Sequence, residues 1–454
     1  MLAEIELFLQ KLVGILWGPP LVVLLVGGGL FFLLYSRFLP YRYFGQSLRL
    51  LFRPRDENDP GQLSHLQALS TALSGTLGMG NVSGVALAIA MGGPGAIFWM
   101  WISAWVGIAT KFYTCSLAVM YRGQDSNGEW QGGPMYVIRE GLGTRWRPLA
   151  YFFAFAGLLG TMPIFQINQL VQVLRDTMAI PAGITSESAH FGFDLTVGLI
   201  LASLVLIIGL GKLPRLGKVA ALLVPTMVAA YMLLTMIVLL SHAEQVPAAI
   251  ALIIRDAFSG QAVAGGAVGA VIVTGIRRAA FSNEAGIGTE AMAHGAAKTR
   301  EPVREGLVAM LGPVIDTLIV CTCTALVILI SGVWQSGEHD GITLTAEAFK
   351  QLFPYGSSLI LALVVSLLSL STVFTFWYYG SKCLGFLIGA HYQQFYIWIY
   401  IVLVVVGAVA SLNIVVSLID SMYALMAIPT MTATLLLAPK VNTAAKAYFG
   451  RNRP

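Results

Sequence analysis

Charge is what this chain has least of. Asp, Glu, Lys and Arg make up 11% of its 454 residues, against about 25% in an ordinary soluble domain. So little charge cannot clothe a water-soluble surface of this size, and the soluble classes are excluded. Cysteine is scarce as well. Cys115, Cys321, Cys323 and Cys383 all fall in apolar stretches, which suits small core residues and argues against disulfides or metal ligands. The six histidines are scattered without ligand spacing. No Gly-x-Ser-x-Gly elbow, His-Glu-x-x-His pair or Walker loop occurs, so the chain is not read as an enzyme or an ATP-driven pump. No cytoplasmic signalling domain is present, which argues against a sensor. The net charge of +5 belongs to loops and does not mark a nucleic-acid face. Glu4 and Glu6 precede the first apolar stretch and no clear cleavage site follows, so that stretch does not read as a cleaved signal peptide.

What the chain has is apolar length, with a mean hydropathy of +0.78. Hydropathy marks about eleven segments of roughly 20 residues or more. They lie near 13–35, 66–91, 94–120, 148–174, 194–211, 217–241, 257–276, 303–333, 357–381, 393–411 and 414–438. The expected fold class is therefore an all-α polytopic membrane protein in a lipid bilayer. Basic residues fall on alternate loops: Arg37 to Arg55, Arg122 to Arg147, Lys212 to Lys218, Arg277 to Arg304, Lys382, and Lys440 to Arg453. The positive-inside rule then places the N-terminus outside and the C-terminus in the cytoplasm.

Glycine is abundant in one telling place. Gly75, Gly78, Gly80 and Gly84 punctuate an otherwise apolar segment. Each weakens a helix by roughly 1 kcal/mol relative to alanine, and backbone at membrane depth can unwind only where it lines a protein-enclosed or wet cavity. The packing alternative is close helix contact through small residues. Setting the first segment aside, ten remain, five and five, so the halves must have opposite topology. This divides the chain into a peripheral helix and basic loop (1–61), a first repeat (62–242), an inverted second repeat (243–438) and a basic tail (439–454). The second half opens with its own Gly-rich run over 262–270. Paired Gly-interrupted segments point to the binding site of a secondary transporter. A rival break lies at Phe281–Gly288. The earlier run is preferred, because a break at the later one would bury Arg277 and Arg278 in a span at about 2.5–3.5 kcal/mol each. Phe281–Gly288 is then expected to be an inner gate or a cytoplasmic linker.

The blocks Gly75–Val85, Gly92-Gly93-Pro94-Gly95-Ala96, Gly132-Gly133-Pro134-Met135-Tyr136, Phe281-Ser282-Asn283-Glu284-Ala285-Gly286 and Ile315-Asp316-Thr317 resemble the alanine/glycine:cation symporter family along nearly the whole chain. That family is similar to the LeuT-like fold of the amino acid–polyamine–cation superfamily. The resemblance implies a peripheral helix plus a five-plus-five inverted-repeat core whose first and sixth helices are discontinuous. It implies symport of a small neutral amino acid with sodium, or with protons in some members, and no other cofactor. By position, the amides of Met79 and Gly80 would hold the substrate carboxylate beside Gly78 and Asn81, and the Thr76 carbonyl would take the ammonium. Carbonyls of Ser74 and Leu77, with hydroxyls of Ser371 and Thr372, would take sodium. Gly266, Ala267, Ala270 and Phe376 would complete the pocket.

The chain departs from the family pattern at three of these positions. Met79 replaces a usual Thr, Phe376 a usual Trp, and Ala267 a frequent aromatic, which opens the question of strict glycine/alanine selectivity. Asp316, an intramembrane carboxylate, is a proton or cation site or a structural acid. Lys111, Asn283 and Glu284 read as gate or helix-end residues, and Asn81 as a tie for the unwound segment. The rival function is a channel, against which the two different broken helices weigh.

Overall fold

The computed structural model describes residues 2–52, 59–209, 213–258, 267–354 and 356–451. Among them, eight helices are long and apolar enough to cross a membrane, and the pair Ala3–Leu16 and Pro19–Tyr35, bent by 52°, makes nine if counted as one span. Two other expected spans are shorter. One is Phe191–Gly209, with 19 residues. The other is Ala267–Asn283, with 17 residues, continued after an interruption by Thr289–His294.

The first broken helix begins with a clear local signal. Ser64 caps it: its hydroxyl accepts from the Gln67 amide at 3.2 Å, and Gln67 Oε1 accepts from the Ser64 amide at 2.9 Å. The helix runs His65–Thr76, unwinds at Leu77 and Gly78, and resumes as Met79–Gly92. Gly93 ends it at φ 71°, and Pro94 then turns the chain into the helix Gly95–Met120. That helix is the central post of the described structure. It packs against Ala267–Asn283, Pro302–Ala309, Gly28–Tyr35 and Val246–Ala257. Gly275 makes one of these contacts possible, because a Cβ there would lie 2.6 Å from Trp99 Cβ and against the Ala96 carbonyl.

The two ends of the bundle are distinguished by their tethers. At one end Arg122 donates to the carbonyls of Gly295 (2.7 Å), Thr299 (2.9 Å), Pro60 (3.1 Å) and Ala297. A parallel bridge there joins Leu63 to Ala297. At the other end Thr343 donates to Asp176 at 2.6 Å, and the Gly95 amide to Asp256 at 2.7 Å. The first broken helix thus starts at the Arg122 end and the second finishes there, so the two run antiparallel.

The second interruption lies where the rival reading put it. Ala267–Asn283 is one continuous helix, and the chain breaks at Glu284–Gly288, with Glu284, Gly286 and Gly288 at φ 56°, 84° and 99°. The expected break at Gly265–Gly269 is corrected for its helical part, while Gly265 and Gly266 lie outside the described residues. The physical reason is charge pairing. Arg278 is buried and pairs with Asp420, while Arg277 Nε lies 3.6 Å from the same carboxylate. The burial cost that argued against this break is met by Asp420, more than a hundred residues away in sequence.

Breaking a buried pair by removing one partner costs about 3–5 kcal/mol, because a buried charge is left uncompensated. Asp420→Ala should therefore lower the thermal midpoint of the detergent-solubilised protein steeply. Asp420→Glu should retain most of it. An unchanged midpoint in Asp420→Ala would show that the pair contributes nothing to stability.

Candidate functional site

The interruption at Leu77–Gly78 strips the preceding helix of its usual amide partners. The Gly78 amide turns back to the Thr76 carbonyl at 2.9 Å and also meets Asn81 Oδ1 at 3.2 Å. The Met79 amide is taken by Gln166 Oε1 at 3.0 Å, and the Asn81 amide goes to the Gly78 carbonyl at 3.3 Å. The carbonyls of Ser74, Gly75 and Leu77 therefore lose the amides four residues on that would bond them in a continuous helix. These are hard oxygens at the end of a half-helix, where the macrodipole is negative.

Hydroxyls of the helix Ser357–Ile388 lie beside that end. Thr375 Oγ1 donates to Ser74 Oγ at 2.9 Å, and Ser74 Oγ donates to the Ser371 carbonyl at 2.9 Å. Ser371 Oγ and Thr372 Oγ1 both donate to the Leu368 carbonyl, at 2.9 and 3.1 Å. A Cβ on Gly78 would strike Thr372 Oγ1 and lie 3.1 Å from Gln166 Oε1. Only glycine lets the backbone approach this closely. Ser74, Thr76, Leu77, Gly78, Met79, Ser371 and Thr372 are thus brought together. Phe376 is buried one turn further along, its ring 6.4 Å from that of Tyr379.

The second interruption faces the first. A Cβ on Gly80 would sit 3.3 Å from Ser282 Cα and 3.4 Å from Phe281 Cδ1. One carboxylate ties the two together. Asp316 accepts from Asn81 Nδ2 at 2.6 Å, from Ser282 Oγ at 2.6 Å and from Thr317 Oγ1 at 2.7 Å. Asn283 Nδ2 donates to Thr317 Oγ1 at 2.9 Å and its Oδ1 accepts from the Ala285 amide at 2.9 Å, shaping the turn. Glu284 is pinned by Thr289 and by Tyr423, the latter at 3.1 Å. Phe281 packs its ring 4.8 Å from that of Phe165 and 5.6 Å from that of Tyr423. Lys111 is buried and close enough to act electrostatically on Glu284, Glu290 and Asp316.

Not every expected site residue joins this cluster. Ala270 is exposed on the continuous helix, and Ala267 begins it. They lie at the wrong end of the helix to line an interruption that starts after Asn283. Gly266 lies outside the described residues. Gln166 was missed by sequence reasoning. Its signal was the polar pattern Gln166, Asn168, Gln169 and Gln172 inside a membrane-length apolar segment, where polar groups mark function. Gln169 extends the pattern: its Oε1 accepts from Ser83 and from the Ile342 amide, the latter at 3.0 Å. It thereby joins the first broken helix to the short helix Gly341–Leu352.

A model of the sodium:alanine symporter family matches residues 2–453. The chain is 39% identical over 437 residues to the sodium/alanine symporter AgcS of Methanococcus maripaludis, covering 95% of this chain and 94% of that one. It is 35% identical over 448 residues to the Bacillus subtilis protein described as "Probable sodium/glutamine symporter GlnT", covering 97% and 91%. In structure it is similar to MhsT, solved in complex with L-phenylalanine, with a TM-score of 0.54, 12% identity, and 87% of this chain and 91% of that one covered. That likeness shows a LeuT-like fold.

Asn81 is the joint between the two interruptions. Asn81→Leu removes the donor to one Asp316 oxygen, at about 1–3 kcal/mol for an unsatisfied buried group, and leaves the Gly78 amide to the Thr76 carbonyl alone. Hydrogen–deuterium exchange should rise at both 77–81 and 284–288 in this variant. Faster exchange at 77–81 alone would show that the interruptions are not coupled through Asp316.

Proposed function

The chain belongs to the sodium:alanine symporter family, a family of secondary active amino-acid transporters, and from that premise we propose that it imports a small neutral amino acid of the alanine/glycine type by symport with sodium. The observation that carries this reading is the pair of helix interruptions facing one another across Asp316. A half-helix N-terminus presents unpaired amides and a positive dipole end to an anion. At the Met79–Gly80 turn these would hold the substrate carboxylate, which competes with Gln166 Oε1 for the Met79 amide. The ammonium group goes to the Thr76 carbonyl. Phe281, Phe165 and Tyr423 close over the side chain and favour a small one.

Sodium takes the oxygens released at the opposite half-helix end. These are the carbonyls of Ser74 and Leu77, completed by the Thr372 hydroxyl, whose one hydrogen is given to Leu368 and whose lone pairs stay free. The ion and the substrate thus meet across the same two-residue gap, and this shared gap is the physical basis of coupling. Sodium in place brings a positive charge next to the unwound turn and makes the bound zwitterion's carboxylate cheaper to hold. The proposed orientation puts the Arg122 end of the bundle, with its basic loops, in the cytoplasm. The inverted repeats 62–242 and 243–438 would exchange access between the two sides, as broken-helix transporters do. The membrane is then the plasma membrane of a prokaryote.

The deciding experiment is uptake into proteoliposomes of labelled L- and D-alanine, glycine and glutamine under imposed sodium or proton gradients. Accumulation of alanine or glycine driven by sodium is expected. Accumulation driven by a proton gradient without sodium would replace sodium with protons, and preference for glutamine would replace the substrate class.

Two substitutions test the site. Thr372→Val keeps the shape and removes one sodium ligand. The half-saturating sodium concentration should rise by about tenfold or more, the scale of one lost hydrogen-bond-strength ligand of about 1.4 kcal/mol. Unchanged sodium dependence would remove Thr372 from the site. Ala267→Phe should leave amino-acid competition profiles unchanged, because the second interruption lies after Asn283. A shift toward glycine in that variant would return Ala267 to the pocket.

A further inference from the structure

A second polar cluster lies at the Arg122 end, outside the site just described. His65 begins the first broken helix, His294 ends the second, and Glu305 lies in the first turn of the helix after it. All three are buried. His65 Nδ1 is 2.5 Å from Glu305 Oε2, and His294 Nδ1 is 2.6 Å from Glu305 Oε1. An ionised carboxylate only accepts hydrogen bonds, so each Nδ1 carries its hydrogen and each neutral ring keeps a bare Nε2. On His294 that Nε2 is buried and has no partner among the described residues. One helical turn earlier, Glu290 presents a second buried oxygen without a partner, Oε2, while its Oε1 accepts from Thr114 at 3.2 Å. His294 and Glu290 are close enough to interact electrostatically.

The charged neighbours do not already balance this cluster. Arg122 approaches Glu305 electrostatically but spends its donors on four backbone carbonyls. Lys111 faces Glu290 together with Glu284 and Asp316. Arg304, on the same helix as Glu305, turns its guanidinium to the Tyr448 ring at 5.9 Å. Cys115 is buried beside Glu290, Lys111 and Glu305. Glu305 thus holds one ring nitrogen of His294, Glu290 lies one helical turn away, and the other ring nitrogen is free to accept a proton.

We propose that His294, held between Glu305 and Glu290, is a proton-binding site at the inner end of the bundle, and that the proton it takes from the inner solution slows transport. The bound proton turns the ring into an imidazolium that donates from Nδ1 to Glu305 and from Nε2 toward Glu290. Charge-assisted hydrogen bonds of this kind are about twice as strong as neutral ones. The proton thus tightens the junction of both broken helices with the helix that bears Glu305. The inner sidedness and the effect on transport rest on the reading under Proposed function. The binding of the proton does not.

The test has two arms. The protein has six histidines, so ring-labelled histidine gives six resonances in detergent, and the one missing from His294→Asn identifies the site. Asparagine keeps a donor near the Nδ1 position and removes the titrating ring. On acidification across the range in which the protein stays folded, the His294 resonance is expected to move to its protonated position. A resonance that does not move overturns the proposal, whatever transport does. In the second arm, sodium-driven uptake is followed while the pH inside proteoliposomes is varied at fixed outside pH. Wild type and His65→Asn should slow several-fold as the inside is acidified. His294→Asn should match wild type at alkaline inside pH and stay flat on acidification. An unchanged inside-pH response in His294→Asn overturns the regulatory role. If wild type shows no uptake under any gradient, the transport reading fails and the resonance arm alone decides the proton site.

Discussion

A bilayer interior offers no partner to a backbone amide or carbonyl, and every feature of this site follows from how the chain meets that constraint where it stops being helical. At Leu77–Gly78 the freed amides go to Thr76, Asn81 and Gln166. At Glu284–Gly288 the turn is held by Asn283, Thr289 and Tyr423. Amides are the easier half of the problem, since side-chain oxygens are at hand. The carbonyls of Ser74 and Leu77 need donors or a cation, and the hydroxyls nearest them already donate elsewhere. A helix interruption solved in this way carries an unfilled electrostatic demand that an ordinary kink does not.

The same logic governs charge. A buried ion is expensive unless it is paired, and the described structure pairs Arg278 with Asp420 and satisfies Asp316 with three donors. Around Lys111 the acidic groups outnumber the cation. Asp316 ties the two broken helices together, since moving either half-helix would strip it of a hydrogen bond.

The two junctions also differ in chemistry. The Arg122 end is stitched by backbone bonds, the Leu63–Ala297 bridge and the His65–Glu305–His294 cluster. The rings of Phe281, Phe165 and Tyr423 pack on one another, with the Tyr423 hydroxyl on Glu284 and the Arg278 guanidinium over Phe281.

Composition alone determined that the chain is helical and membrane-embedded, because 11% charge cannot cover a soluble surface. The glycines at 75–84 placed the first interruption. At Gly78 a Cβ would strike Thr372, while at Gly75 and Gly80 it would pack tightly on Tyr379 and Ser282. The polar residues that meet at the first interruption were readable for the same local reason. The second interruption was not. Reading Arg277 and Arg278 as too costly to bury turned attention away from the Glu284–Gly288 turn, and only the fold brings Asp420 across to pair with Arg278. Gln166 and the His65–Glu305–His294 cluster escaped notice for a related reason. A side chain's role at membrane depth depends on which distant group shares its low-dielectric surroundings, and a one-dimensional pattern holds no record of that neighbour.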